Sequence, residues 1–519
     1  MKIERTKNAT RNMFFGWGLT IYNMIMSFVM RTVMIYFLGP QYLGLNSLFT
    51  SVLSTLSLVE LGVGSAMVYS MYKPIAEDDT VRICALLKLY RIYYRIIGLV
   101  IGLLGIILLP FIHQLIHGDI PKGVNIYILY LVNLASTVLS YWLYSYKNSL
   151  LSAHQRGDVG SKIMMFASTL TYAIQIIMLI LTKNYYVYVC VALVMQCLVN
   201  LITALIVSKM YPCYKPVGRL ERGTVRQINQ RIRDLFTAKV GTIVVNSVDT
   251  IVISSFLGLT MLAIYQNYFY ILASVKGIIG VIFSSVTAGI GNSLIVESKK
   301  KNLCDLRKFT FIIAWITGIC TCCFLCLYQP FMKIWVGEEL MLEFPAVICF
   351  CLYFFIVEIN QLLNLYKDAG GLWHQDRFRP MVTALANLIM NLIMVQLWGI
   401  YGILLSTILS MLVVGMPWLL YNIFTVLFDK KELRSYLELL VKCFVVSCIA
   451  CILTLGICSC LRFATWLTLA VRLFFCAVIP NIIFFLVYRK TDEFVEALRL
   501  VNVITNGKLS FIKIFLREE

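Results

Sequence analysis

Apolar residues fall in long blocks along this chain, and short polar segments, mostly basic, separate them. About 20 consecutive apolar residues suffice for a helix to cross the hydrocarbon core of a bilayer. The blocks predict helices at 13–38, 43–72, 92–112, 125–150, 163–182, 187–208, 239–257, 261–294, 309–331, 345–366, 381–398, 402–427, 443–461 and 465–488. The fold class is therefore an all-α polytopic membrane protein with about 14 transmembrane helices. Met13 opens a block too long for a signal-peptide core and without a small-residue cleavage site, so it reads as a retained first helix.

Composition agrees with this reading. Of 519 residues, 60% are hydrophobic and 14% charged, more apolar side chain than a soluble domain can cover. The net charge of +19 would point to nucleic acid in a soluble protein, but here the placement of the charges decides. An even number of spans puts both termini on one side. Nearly all loop Lys and Arg fall on that side, whereas Lys122, Lys183, Lys333 and Arg462 fall opposite. The positive-inside rule then places both termini in the cytoplasm, and nucleic acid is not an expected partner.

The loops exclude several activities. Those on the outer face are short, the longest running through "KIWVGEELMLEF", so there is no room for an external catalytic domain. No GxxxxGK[ST] nucleotide loop is present, and energy must come from ion gradients. His113 and His117 lie four apart with Asp119 nearby, but no third ligand is in register and no metal is expected. Cys320, Cys322, Cys323 and Cys326 contain CxxC spacings inside an apolar run beside no histidine; they read as small core-packing residues.

Two segments look amphipathic. In "YPCYKPVGRLERGTVRQINQRIRDLF", Val225, Ile228, Ile232 and Leu235 recur at helical spacing with arginines between them. After Asp492, Phe494, Leu498, Val501 and Ile504 make a similar stripe. "FLGPQYLGL" at Phe37 and "FLGLTMLAI" at Phe256 echo each other 219 residues apart, as two similar lobes would require. The expected organisation is an N-terminal six-helix lobe at 1–210, a cytoplasmic amphipathic linker at 211–238, a C-terminal six-helix lobe at 239–428, two additional helices at 429–490 and an amphipathic tail at 491–519.

The run from Arg31 to Asp79, "RTVMIYFLGPQYLGLNSLFTSVLSTLSLVELGVGSAMVYSMYKPIAEDD", resembles the N-terminal signature of Wzx-type polysaccharide transporters of the multidrug/oligosaccharidyl-lipid/polysaccharide (MOP) exporter superfamily. The matching positions include Arg31, Gly39, Tyr42, Gly44, Glu60, Gly62 and Gly64. The resemblance implies a two-lobed, MATE-like fold and a flippase. Such a protein moves undecaprenyl-diphosphate-linked oligosaccharide across the bacterial inner membrane for O-antigen, capsule or exopolysaccharide assembly. Its partners would be the lipid-linked oligosaccharide, membrane lipid and other polysaccharide assembly proteins.

Charges inside the bilayer cost about 2.5–3.5 kcal/mol each on insertion scales, so they must face a cavity or one another. Arg31, Glu60, Asp249, Lys276 and Glu358 are such charges. Arg31 shares a helical face with Asn23 and Ser27; Lys147 ends a polar stripe through Asn133, Thr137, Ser140 and Tyr144. Asn246 lies three before Asp249, Gln361 three after Glu358, and Asn387 four before Asn391. Arg31, Lys276 and Lys147 are the candidates for binding diphosphate, and Asn246, Asn387 and Asn391 for meeting the glycan. Glu60, Asp249 and Glu358 are candidates for ion coupling or ion pairing, Glu60 with Arg31 or, better matched in depth, Lys276. No cofactor is expected beyond a coupling ion, H+ or Na+. Three acids against two bases also suit a cation-coupled multidrug exporter of the same superfamily, which is the alternative function. A membrane enzyme has neither an outer catalytic loop nor an intramembrane histidine to support it.

Overall fold

A computed structural model describes residues 5–118, 120–121, 123–460 and 465–504. Asp119, Lys122, Arg462 and the tail after Ile504 lie outside this set, as does the side chain of Asn246. The regular elements among the described residues are all helical. The chain divides into two compact units, Met1–Ala263 and Ile264–Glu519.

Unit 1 contains α1 (Arg5–Phe37), α2 (Pro40–Leu56), α3 (Val63–Ala76), α4 (Thr80–Leu108), α5 (Ile126–Trp142), α6 (Asn148–Ala153), α7 (Gly157–Thr182), α8 (Tyr185–Met210) and the first limb of α9 (Arg222–Val296). Polar side chains set several starts by accepting from amides that the first helical turn leaves unpaired. Asp79 accepts from the Arg82 amide, Asn125 from those of Tyr127 and Ile128, and Asn184 from that of Tyr186. Unit 2 contains the second limb of α9, then α10 (Lys299–Trp335), α11 (Phe344–Ala369), α12 (Trp373–Asp376), α13 (Arg379–Leu409), α14 (Met416–Val426), α15 (Glu432–Cys460), α16 (Thr465–Tyr488) and α17 (Asp492–Ile504).

Among the described residues, eleven helical runs are long and apolar enough to cross a membrane, or twelve when the pair at 126–142 and 145–153, bent by 47°, counts as one span. Two of the eleven are interrupted by a glycine with positive φ. Gly258 (φ 87°) divides α9, and Gly399 (φ 55°) divides α13. Each therefore holds two of the predicted spans, which reconciles the count with about fourteen. Only glycine adopts these angles without a Cβ penalty, and the turns fall where the sequence places hairpins.

Within unit 1 the first limb of α9 is tightly seated. The His117 amide donates to the Ser254 carbonyl at 2.9 Å, and the hydroxyls of Ser54 and Ser247 lie 3.2 Å apart. A Cβ at Gly44 would come 2.1 Å from the Leu259 carbonyl oxygen, so only glycine permits this approach.

The helices are apolar on two faces for two reasons. On α4, Leu86, Tyr90, Tyr94, Ile97 and Ile101 are buried against neighbours. Ile96, Leu99, Leu103 and Ile107 are exposed on the other side, at the same helical spacing. In a soluble protein that second stripe would be a liability; in a bilayer it is the lipid contact.

Three predicted boundaries need correction. The block 43–72 is two helices, α2 and α3, separated by a tight 3-10 turn at Ser57–Glu60 and by Gly62 in the left-handed region. The block 125–150 breaks after Trp142, where Tyr144 takes a positive φ of 57°. Hydrophobicity alone cannot see either break, because apolar residues continue through both. The third helix begins at Thr80, twelve residues before its apolar block, since Asp79 caps it ahead of the polar turns.

Candidate functional site

The 3-10 turn carries Glu60, which closes a 21-residue apolar run and does not sit at its centre. Tyr94 donates to Glu60 Oε1 at 2.7 Å, and Tyr141 donates to Oε2 at 2.9 Å. Tyr90 in turn donates to the Tyr94 hydroxyl at 2.7 Å. Both carboxylate oxygens are thus held by phenols from α4 and α5. Arg31 and Glu60 differ in depth, since Arg31 lies about eight residues from the Gly39 hairpin and Glu60 about twenty on the other side, a difference near 18 Å at 1.5 Å per residue. Arg31 is half-buried on α1 and lies near Tyr188 of α8.

The glycines after Glu60 have a spatial function. A Cβ on Gly62 would sit 2.7 Å from that of Leu235, and one on Gly64 would lie 3.2 Å from the Tyr90 hydroxyl. The motif Glu60-Leu61-Gly62-Val63-Gly64 therefore turns the chain sharply and leaves room for the tyrosines. Tyr90, Tyr94 and Tyr141 went unrecognised as site residues in the sequence, although the i, i+4 spacing of the first two was visible.

The Lys147 stripe does not survive folding. Asn133, Thr137 and Ser140 spend their side-chain donors on carbonyls of their own helix, and the break at Trp142 sets Lys147 on a separate turn. Its ammonium donates to the Ser208 hydroxyl and lies 5.3 Å from the Tyr144 ring centroid. Asp249 is half-buried on the first limb of α9.

In unit 2, Lys276 on the second limb of α9 and Glu358 on α11 lie in the same electrostatic neighbourhood, beyond ion-pair distance. Lys276 is half-buried. Glu358 is 0% exposed, and neither of its carboxylate oxygens has a hydrogen-bond partner. Uncompensated buried carboxylates are costly, and this one stands on a continuous helix with no break to relieve it.

Asn387 and Asn391 are fully buried and engaged. Asn387 donates to Thr407 at 3.1 Å, Asn391 donates to the Asn387 carbonyl at 3.3 Å, and Ser406 donates to Asn391. These bonds staple the two limbs of α13 across Gly399. In this conformation both amides are taken up by packing and neither has exposed surface. Arg472 on α16 donates to the Cys326 carbonyl at 3.1 Å.

Long apolar helices with lipid-facing stripes and charged groups held between them define a multi-pass membrane protein. The fold is similar to that of solved proteins, one of them a transporter of the MOP superfamily. One similar solved structure is the lipid II flippase MurJ in an inward-closed conformation, with a TM-score of 0.69, 14% identity, and coverage of 92% of this chain and 99% of that one. Another is an inward-facing multidrug resistance MATE family transporter, with a TM-score of 0.57, 15% identity, and coverage of 80% and 96%. A variant of the Vibrio cholerae MATE transporter VcmN gives 0.53 at 16% identity, with coverage of 83% and 98%. No curated protein sequence matches the chain. Residues 9–288 match the polysaccharide biosynthesis protein family, and the chain belongs to that family. The solved structures it resembles are a flippase and transporters.

Proposed function

We propose that the protein is a flippase that carries undecaprenyl-diphosphate-linked oligosaccharide across the bacterial inner membrane for surface polysaccharide assembly, with both termini cytoplasmic. Membership of the polysaccharide biosynthesis family across residues 9–288 carries this reading. The chemistry is consistent with a lipid-borne substrate. Unit 2 has a cavity of about 410 Å³ between the second limb of α9, α10 and α17, lined by Phe283, Ile312, Ile316, Leu498 and Val501, with Asn481 a rare polar group in the wall. An apolar wall of this kind suits a polyprenyl chain, and the half-buried Lys276 of the same unit suits a diphosphate. Glu358, lacking any donor, is the group we assign to ion coupling, because a bound proton or sodium ion relieves its isolation.

The unpartnered Glu358 also suits a cation-coupled multidrug exporter, and one experiment separates the two. In a strain deleted for the gene, a flippase leaves undecaprenyl-diphosphate-linked oligosaccharide accumulating on the cytoplasmic leaflet and surface glycan lost, with drug sensitivity unchanged. Normal surface glycan with heightened sensitivity to cationic drugs would overturn the flippase reading. Impermeant labelling of single cysteines placed in the loops at 77–79 and 211–221, on a background with native thiols replaced, tests the orientation; labelling from outside reverses it.

A further inference from the structure

Three helices of unit 2 bring thiols to one point. The Sγ atoms of Cys326 on α10, Cys458 on α15 and Cys476 on α16 all lie within 4.8 Å of one another. None of the three is more than 1% exposed. Cys323, one turn before Cys326, packs against the trio, so a Cys-x-x-Cys pair from one helix faces single cysteines from two others. Arg472, one turn before Cys476, leans on this cluster through the Cys326 carbonyl, and its Nε is buried without a hydrogen-bond partner.

We infer that Cys326, Cys458 and Cys476 form a binding site for one Zn²⁺, with Cys323 beside the fourth coordination position. Soft thiolates select d10 ions such as zinc. Zinc–sulfur bonds of about 2.3 Å in a tetrahedron set sulfur atoms about 3.8 Å apart, which the present spacing reaches by small side-chain movements. Each thiol gives up its proton on binding, so three S–H bonds break, three S–Zn bonds form, and three protons leave to solvent. Three thiolates and one divalent ion leave a single negative charge. Arg472 supplies the opposite charge at that spot, which makes the assembled site neutral and fit for an apolar interior. Cys458 lies two residues before the end of α15 at the exposed Cys460. A zinc ion there ties the α15–α16 hairpin to α10, joining elements far apart in the chain.

Purified full-length protein in detergent, loaded with Zn²⁺ and freed of excess ion, should retain about one zinc per chain by elemental analysis. Loading with Co²⁺ should give the intense near-ultraviolet thiolate-to-cobalt absorption of a tetrahedral site. Cys458→Ser should weaken zinc binding on the order of tenfold or more, whereas Cys190→Ser on α8 should leave it unchanged. Wild-type protein that keeps no zinc after loading overturns the site whatever the variants do. So does a Cys458–Cys476 disulfide in unreduced wild-type protein, or a zinc content that Cys458→Ser and Cys476→Ser both leave intact.

Discussion

Glu60 and Glu358 are both acids in strongly apolar surroundings, and the fold treats them in opposite ways. Glu60 stands at a break between α2 and α3, where two tyrosines donate to its two oxygens and a third supports one of them. Glu358 stands within an unbroken helix, fully buried, with neither oxygen paired. A satisfied carboxylate stabilises one arrangement of the helices around it. An unsatisfied one favours whatever binds it, and so can bias a conformational equilibrium when its occupancy differs between states. The contrast fits the proposal that Glu60 anchors and Glu358 couples.

The largest effect should follow from Glu358→Gln. Gradient-driven transport in proteoliposomes should fall about tenfold or more, which corresponds to about 1.4 kcal/mol or more of lost driving interaction. The melting temperature should hold or rise, since an uncompensated buried acid has been removed. Glu358→Gln protein that still transports at the wild-type, gradient-dependent rate would take the coupling role away from Glu358.

Glu60→Ala should do the reverse, destabilising unit 1 by about 3 kcal/mol because two phenols lose a charged acceptor. Transport per folded molecule should change far less than in Glu358→Gln. Denaturation in detergent, read beside transport normalised to folded protein, separates the two outcomes, and equal losses in both variants would erase the contrast. Smaller again are Tyr94→Phe and Tyr141→Phe, each expected to cost about 2 kcal/mol. Because they share one carboxylate, the double variant should differ from the sum of the singles. Strict additivity would show that the two phenols do not act on Glu60 together.

The smallest effect is a background that any pH test of the two acids must subtract. His154 stacks near Tyr211 with ring centroids 4.4 Å apart, and its Nδ1 lies 2.9 Å from the Leu150 carbonyl. Burial is the main influence on this ring and holds its pKa below the ordinary 6.5, although the hydrogen bond to Leu150 opposes the shift. The unfolded chain therefore takes up a proton near pH 6.5 that the folded ring refuses. Stability from this group is present above pH 6.5 and declines as pH falls through the folded pKa. His154→Phe should flatten that part of the stability profile, and an unchanged acid slope would show that another group causes it.

Much was legible before folding was considered. Helix number, class and the hairpins at Gly258 and Gly399 follow from apolar block length and turn-forming glycine, both local properties. Glu60 and Glu358 were marked by the cost of charge in a bilayer, and the 9–288 family relation was already visible in the Arg31–Asp79 stretch. What the sequence left open was partnership. Asn387 and Asn391 looked like glycan contacts because their shared face is readable, but whether that face meets a cavity or a packed helix is not. Glu60 sought a base on paper and found phenols, since hydrogen-bond partners 34 and 81 residues away are brought near only by packing. The cysteines show the same limit most sharply. Cys323 and Cys326 declare their spacing along one helix, yet Cys458 and Cys476 become their neighbours only when α10, α15 and α16 close together, because tertiary contact is set by burial of whole helical faces and not by distance along the chain.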